Sequence, residues 1–265
     1  METPSNPSPL DPAELYLRTR EPFLRPAWDL LEDLALRPGE RVLLVPAREE
    51  RLLDLLLSFH REGPLKVQEF HPHLARRART LVKNRREEER VEVLEAPLHL
   101  VPAPGSQDAL LAHFLLPTIP DPSAFAKALG RNLRPGGRFA LQVPVEGFCP
   151  PLEEALMDTL ASRRDLPDPE EVRTPLDPIE FFLAVTESGF RQVEETEKVY
   201  LEKFATAMEA ADFLFASGGW GGLEDLEPEQ REEAAREVRL RLAKALKRDQ
   251  EIELPFRRLL ISGKR

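Results

Sequence analysis

Pro122-Ser-Ala-Phe-Ala-Lys-Ala-Leu-Gly-Arg-Asn-Leu-Arg-Pro-Gly-Gly-Arg-Phe-Ala-Leu-Gln-Val143 is the stretch whose reading decides the fold. Asp121 precedes it as a side-chain acceptor for the first helical amides, and Pro122 fits a first-turn position where no donor is needed. The helix predicted from Pro122 to Leu133 stops at Arg134-Pro-Gly-Gly137, because proline and glycine supply turn dihedrals and cannot continue it. Phe139 to Val143 is then a short apolar run of the kind buried on both faces of a parallel sheet.

The same alternation runs upstream. Trp28, Leu30, Leu31, Leu34 and Leu36 recur at near-helical spacing from Pro26, Arg37-Pro38-Gly39 stops them, and Arg41-Val-Leu-Leu-Val-Pro46 reads as a buried strand. A Leu-rich helix follows over Glu49 to Arg61, a strand over Leu65 to Phe70, a basic helix over His73 to Arg86, and strands over Val91 to Leu94 and Ala109 to Phe114. Downstream, a helix runs from Pro178 to Ser188 with Gly189 after its end, and Arg191 to Leu201 alternates as a strand does. Residues Phe204 to Phe215 and Pro228 to Arg248 read as helices, the latter with Ala234, Val238, Leu242, Ala245 and Leu246 on one face, and Leu254 to Ser262 reads as a last strand. Strands alternating with helices predict an α/β fold with a doubly wound, mostly parallel seven-stranded sheet and a helical insert before the last strand. The expected division is a disordered Pro/Ser-rich tail over 1–10, an α/β domain over 11–200, a helical insert over 201–253, and the final strand over 254–265.

The chain has 265 residues, 42% apolar, and a formal charge of −10. That length buries a large core without disulfides or metals, and the acidic balance opposes a general phosphate-coating surface, so nucleic acid is not an expected partner. The basic run Arg76, Arg77, Arg79, Lys83, Arg85, Arg86 and Arg90 is followed at once by Glu87 to Glu89 within the same stretch, which reads as a solvated, salt-bridged helix. Cys149 is the only cysteine, so no disulfide framework or CxxC pair exists, and a cytoplasmic location is expected. No stretch reaches the ~20 apolar residues of a membrane span. Arg (29) outnumbers Lys (8), with 26 Pro and 3 Asn, a usage compatible with a thermophile.

Beyond the alternation, Pro102-Ala-Pro-Gly-Ser-Gln-Asp-Ala-Leu110, Leu115-Leu-Pro-Thr-Ile-Pro-Asp-Pro122 and Ala128-Leu-Gly-Arg-Asn-Leu-Arg-Pro-Gly-Gly-Arg-Phe139 resemble the middle of class I S-adenosylmethionine-dependent methyltransferases of the type 11 (UbiE-like) group. Leu36-Arg-Pro-Gly-Glu-Arg-Val-Leu43 resembles the approach to that family's first strand, and Ser188-Gly-Phe190 the residues before its sixth. The resemblance implies the Rossmann-like methyltransferase fold and a site at the carboxyl ends of the strands.

It also implies a cofactor, S-adenosylmethionine, held by a glycine-rich turn after the first strand, an acid ending the second, and an acid after the third. Here Leu44-Val-Pro-Ala-Arg-Glu-Glu50 places Leu44 at the first acid and Pro46, Arg48 and Glu50 at the glycines. Proline and long charged side chains cannot reproduce glycine's dihedrals or its close approach to a ligand. The resemblance aligns the ribose acid with His71, with Glu69 two residues earlier on the same strand face as a possible substitute, and the adenine-side position with Ala96 beside Glu95. The cofactor-binding candidates are therefore Val45, Pro46, Ala47, Arg48, Glu69, His71, Glu95, Ala96 and His113; no catalytic residue is assigned.

Arg48, His71 and His113 admit two readings: a cationic pocket for a carboxylate or phosphate ligand, or surface charges paired with Glu49 or Glu50. His60, His71, His73, His99 and His113 have no completing carboxylate or cysteine at ligand spacing, so no metal site is expected. Two functions stand open. One is a methyltransferase-like protein with a diverged S-adenosylmethionine site, serving as a non-catalytic binding or partner subunit for a small molecule or a protein. The other is an active methyltransferase acting on a small molecule. The helix over Pro228 to Arg248 and Trp220 admit a homodimer or heteromer as well as packing within the chain.

Overall fold

The computed structural model describes residues 24–46, 50–70, 72–97, 104–113, 119, 121–169, 177–216, 226–247 and 250–265. Among them the elements run α1 (Leu24–Leu34), β1 (Val42–Val45), α2 (Glu50–Phe59), β2 (Leu65–Glu69), α3 (Pro72–Arg85), β3 (Val91–Glu95), β4 (Gln107–His113), α4 (Pro122–Asn132), β5 (Leu133–Pro144), α5 (Pro150–Ser162), α6 (Pro178–Glu187), β6 (Arg191–Thr206), α7 (Ala207–Ala216), α8 (Pro228–Leu246) and β7 (Gln250–Lys264). The seven strands form one sheet in the order β3-β2-β1-β4-β5-β7-β6. The pairs from β3 through β5 are parallel and β7 runs antiparallel to β5. This is the expected doubly wound α/β sheet, with α7 and α8 inserted before the last strand.

Local chemistry sets the helix ends. Asp121 Oδ1 accepts from the Ala124 amide at 2.8 Å ahead of α4, and Asp177 Oδ1 accepts from the Glu180 amide at 2.8 Å ahead of α6. Both have proline at the first turn, where its missing N–H costs nothing. Gly189, at φ +87°, turns the chain out of α6 in a conformation that side chains rarely adopt. Helix α5 has no counterpart in the expected elements; its Pro150-Pro151 start resembles a breaker, yet both prolines lie in its opening turn. Strand β6 continues through Thr206, so Phe204 to Thr206 are extended rather than helical.

Two compact units divide the chain. Among the described residues, the larger falls within 24–148, 177–201 and 255–265, and the smaller within 149–169 and 202–254. In the larger unit each sheet face has its own core. Leu44, Val67, Leu111 and Ala140 pack with Leu30, Leu52, Leu56 and Ala78 on one side. On the other, Leu43, Ala112, Leu141 and Val143 pack with Phe125, Leu129 and Phe181. In the smaller unit α8 packs on α5 and α7. Its stripe Ala234, Val238 and Leu242 is fully buried, whereas Ala245 is exposed and Leu246 half-buried, so the buried stripe ends a turn earlier than the sequence pattern.

The amino ends of the central strands are clasped by charge. Asp108, at the start of β4, accepts from the Arg41 amide at 2.8 Å and from Arg41 Nε at 3.0 Å, and also pairs with Arg134. These bonds, Arg41's first, hold its carboxyl well below the usual carboxylate range. Arg138 donates to Glu40 at 2.9 and 2.7 Å beside them.

Candidate functional site at the carboxyl edge of the sheet

Side chains alternate between faces along a strand, while laterally paired residues share a face. Val93, Val67, Leu44, Leu111 and Ala140 are laterally paired across β3, β2, β1, β4 and β5, and they make one apolar row. Two residues further toward the carboxyl edge, Glu69 pairs with Glu95 and His113 with Gln142, and continuing the β1 register brings Pro46 between Glu69 and His113. The row thus changes from wholly apolar to Glu95, Glu69, Pro46, His113 and Gln142 in one step. In a sheet covered on this face, such a change marks the edge where open α/β sheets receive ligands.

Glu69 is the last residue of β2 and is fully buried. The strand thus ends two residues before His71, the position the resemblance aligns with the ribose acid, and α3 begins at Pro72. His71 itself lies outside the described residues, as do Ala47 and Arg48, so the proposed meeting of Arg48 and His71 does too. Val45 ends β1 and Pro46 follows it, both buried. Ala96 is half-buried, its amide donating to the Glu69 carbonyl at 2.9 Å. Glu95 points to solvent and meets Arg79 of α3 at 3.5 Å.

His113, the last residue of β4, is 1% exposed, and Gln142 is 0% exposed. Neither ring nitrogen of His113 and neither amide atom of Gln142 reaches a hydrogen-bond partner in good geometry. Burying such groups without partners costs about 1–3 kcal/mol apiece. Burial drives the His113 pKa down to about 3, assisted by the charge of Arg258 and opposed by Gln142, so the ring is neutral at ordinary pH. Arg258 sits opposite Pro144 in the β5–β7 ladder, one same-face step beyond Leu260 and Gln142. It is fully buried, with its guanidinium 5.1 Å from the centre of the Phe148 ring, a cation–π distance.

Gln142 and Arg258 were not among the sequence candidates. The available signal was a polar residue at the inward position of Phe139-Ala-Leu-Gln-Val143, an otherwise apolar strand. Cys149 is buried and its thiol is pushed up to about 12 by burial, which removes the thiolate a nucleophile needs. Among the described residues no group of three or more His, Cys, Asp or Glu side chains could hold a metal ion, and no helix is long and apolar enough to cross a membrane.

Residues 61–141 match the family model described as a methyltransferase domain. No curated protein matches the sequence. Among solved structures, the YcgJ protein of Bacillus subtilis superposes with a TM-score of 0.59 at 12% identity, covering 91% of this chain and 98% of that one. Geranyl diphosphate C-methyltransferase from Streptomyces coelicolor A3(2), in complex with Mg2+, geranyl diphosphate and S-adenosyl-L-homocysteine, gives 0.55 at 12% identity, covering 91% and 79%. The [4+2]-cyclase SpnF gives 0.56 at 14% identity, covering 91% and 80%. The chain has the Rossmann-like fold of class I methyltransferases, and its resemblance to the type 11 group stands on the matched segment and the fold together.

Proposed function

We propose that this chain is a methyltransferase-fold binding protein whose crevice receives a nucleoside at Glu69 but no longer cradles the methionine tail of S-adenosylmethionine. The observation that carries this reading is the junction Val45-Pro46. Where the resembling family has a glycine whose backbone lies against the cofactor, this chain has a buried proline with no N–H to donate and a ring in place of open space. Glu69 fits the other half of the ligand: a carboxylate at the end of β2 accepts from vicinal ribose hydroxyls, which are both donors. S-adenosylmethionine, when bound, would supply an electrophilic methyl group; the part of this chain is to orient the ribose through Glu69.

Isothermal titration with adenosine and S-adenosylhomocysteine tests the reading, because the two differ by the amino-acid tail. Binding of similar strength is expected for both, lost in Glu69→Gln. Micromolar binding of S-adenosylhomocysteine, far tighter than adenosine, overturns it.

The second reading, an active methyltransferase on a small molecule, is favoured by Glu69 standing at the strand end where the family keeps its ribose acid. It requires a tail-dependent affinity and transfer of labelled methyl from S-adenosylmethionine. Glu95 would then face the adenine, and Glu95→Ala must weaken cofactor binding.

A further inference from the structure

We infer that His113 and Gln142 form a receiving site for a carboxylate, at the carboxyl ends of β4 and β5 and separate from the proposed nucleoside position at Glu69. Both side chains are buried, lie side by side on one face at the last paired row, and leave four polar atoms without a hydrogen bond in good geometry. Neutral imidazole offers one N–H, and a primary amide offers two. Donors carried on two strands that are neighbours in the sheet, with backbones about 4.8 Å apart, can each give one bond to the oxygens of a planar carboxylate.

The sign of the local field selects an anion. Arg258 lies on the same face near His113, and its charge is felt at that ring. Glu69 and Glu95 are the acids of the same row, but Glu69 stands two strands from His113 and Glu95 three, so a carboxylate fits over β4 and β5 and is repelled away from β2 and β3. A cationic ligand is disfavoured at this end of the row for the same reason.

The test uses the full chain labelled with 15N at histidine and titrated with sodium acetate, with sodium chloride at matched ionic strength as control. A saturable shift of one ring, absent in His113→Phe, is expected, while the ring of His60, whose Nε2 lies 2.9 Å from the Glu40 carbonyl, stays put. Losing one of the two hydrogen bonds in Gln142→Leu should weaken acetate roughly tenfold, and Gln142→Glu should abolish it by like charge, with near-ultraviolet circular dichroism confirming that each variant is folded. No saturable shift, or an affinity indifferent to both Gln142 variants, overturns the inference. Repeating the titration with S-adenosylhomocysteine present identifies the source. If that molecule moves His113 by itself and blocks acetate, the carboxylate is that of an amino-acid tail; if acetate still binds, the site belongs to a separate acidic ligand. Either result supports the carboxylate site, and the first also counts against the proposed loss of the methionine cradle, so the two readings fail independently.

Discussion

Replacing Gln142 by leucine should stabilise the ligand-free protein, although the residue sits at the centre of the sheet. The side chain is fully buried and neither of its amide atoms makes a hydrogen bond in good geometry. Gln142→Leu keeps nearly the same volume and exchanges two desolvated polar groups for methyl groups beside the apolar row of Leu111 and Ala140. Unsatisfied buried groups cost about 1–3 kcal/mol each. The amide also opposes the fall in the His113 pKa, so part of the gain is offset and a net of about 1–2 kcal/mol is expected. For a chain of this size that raises Tm by roughly 2–4 °C. Urea and thermal unfolding without ligand provide the assay, with Leu111→Ala as the control on the same face. That control removes a fully buried side chain and should cost about 2–5 kcal/mol. An unchanged or lower midpoint for Gln142→Leu, at unchanged m-value, refutes the reasoning, because the amide must then be satisfied in the native state. The direction matters for function: binding sites are where a sequence keeps groups that its own fold would be better without.

At the opposite end of the strands, Asp108→Asn should cost about 2 kcal/mol by weakening charge-assisted bonds from Arg41 and Arg134; a loss below a few tenths, read by urea unfolding, rejects the clasp. Because the folded-state pKa of Asp108 is depressed, its contribution is complete above the unfolded-state value near 3.8 and disappears as pH falls below it, so wild type and Asp108→Asn should converge in stability in strong acid. In the smaller unit, Asp212 is raised to about 6 by burial and then by Glu209. Its cost to the fold appears as pH rises from about 4 through 6, and Asp212→Asn should raise Tm at pH 8 while leaving it unchanged at pH 4. Gly63→Ala should be strongly destabilising in thermal unfolding, since an added Cβ would lie 2.5 Å from the Glu40 carbonyl at φ +95°; a Tm within a degree or two of wild type contradicts that backbone geometry. Native protein should leave Cys149 unmodified by iodoacetamide at pH 8, given a thiol pushed up to about 12, and rapid alkylation under native conditions would show the site opens.

The sheet was legible because its residues obey local rules. Arg41 to Pro46 and Phe139 to Val143 are apolar runs between turn signals, and they became β1 and β5. Asp121-Pro122 announced α4 through cap chemistry, and Pro178 with Gly189 bounded α6. Helix α5 was hidden because Pro150-Pro151 reads equally as a stop and as a first turn, and only packing distinguishes them. The site was less legible. Glu69 and His71, two residues apart, would share one face of an extended strand, and only pairing with β3 shows that β2 ends at Glu69. Gln142 and Arg258 lie far from the cofactor motifs in sequence and join the row only through β4–β5 and β5–β7 pairing, which no local pattern encodes.

The smaller unit is assembled from separated pieces, with Cys149–Arg173 entering between β5 and α6 and Glu202–Leu254 entering between the halves of β6 and β7. It follows that the unit cannot be cut out, transplanted or lost as a cassette. A deletion of 202–254 would leave Leu152, Leu156 and Leu160 of α5, all buried now, stranded as a greasy helix face on the remaining chain. Gene truncations and exchanges in this protein should therefore succeed only when both pieces travel together, and a fragment ending at residue 201 is expected in inclusion bodies rather than in the soluble fraction.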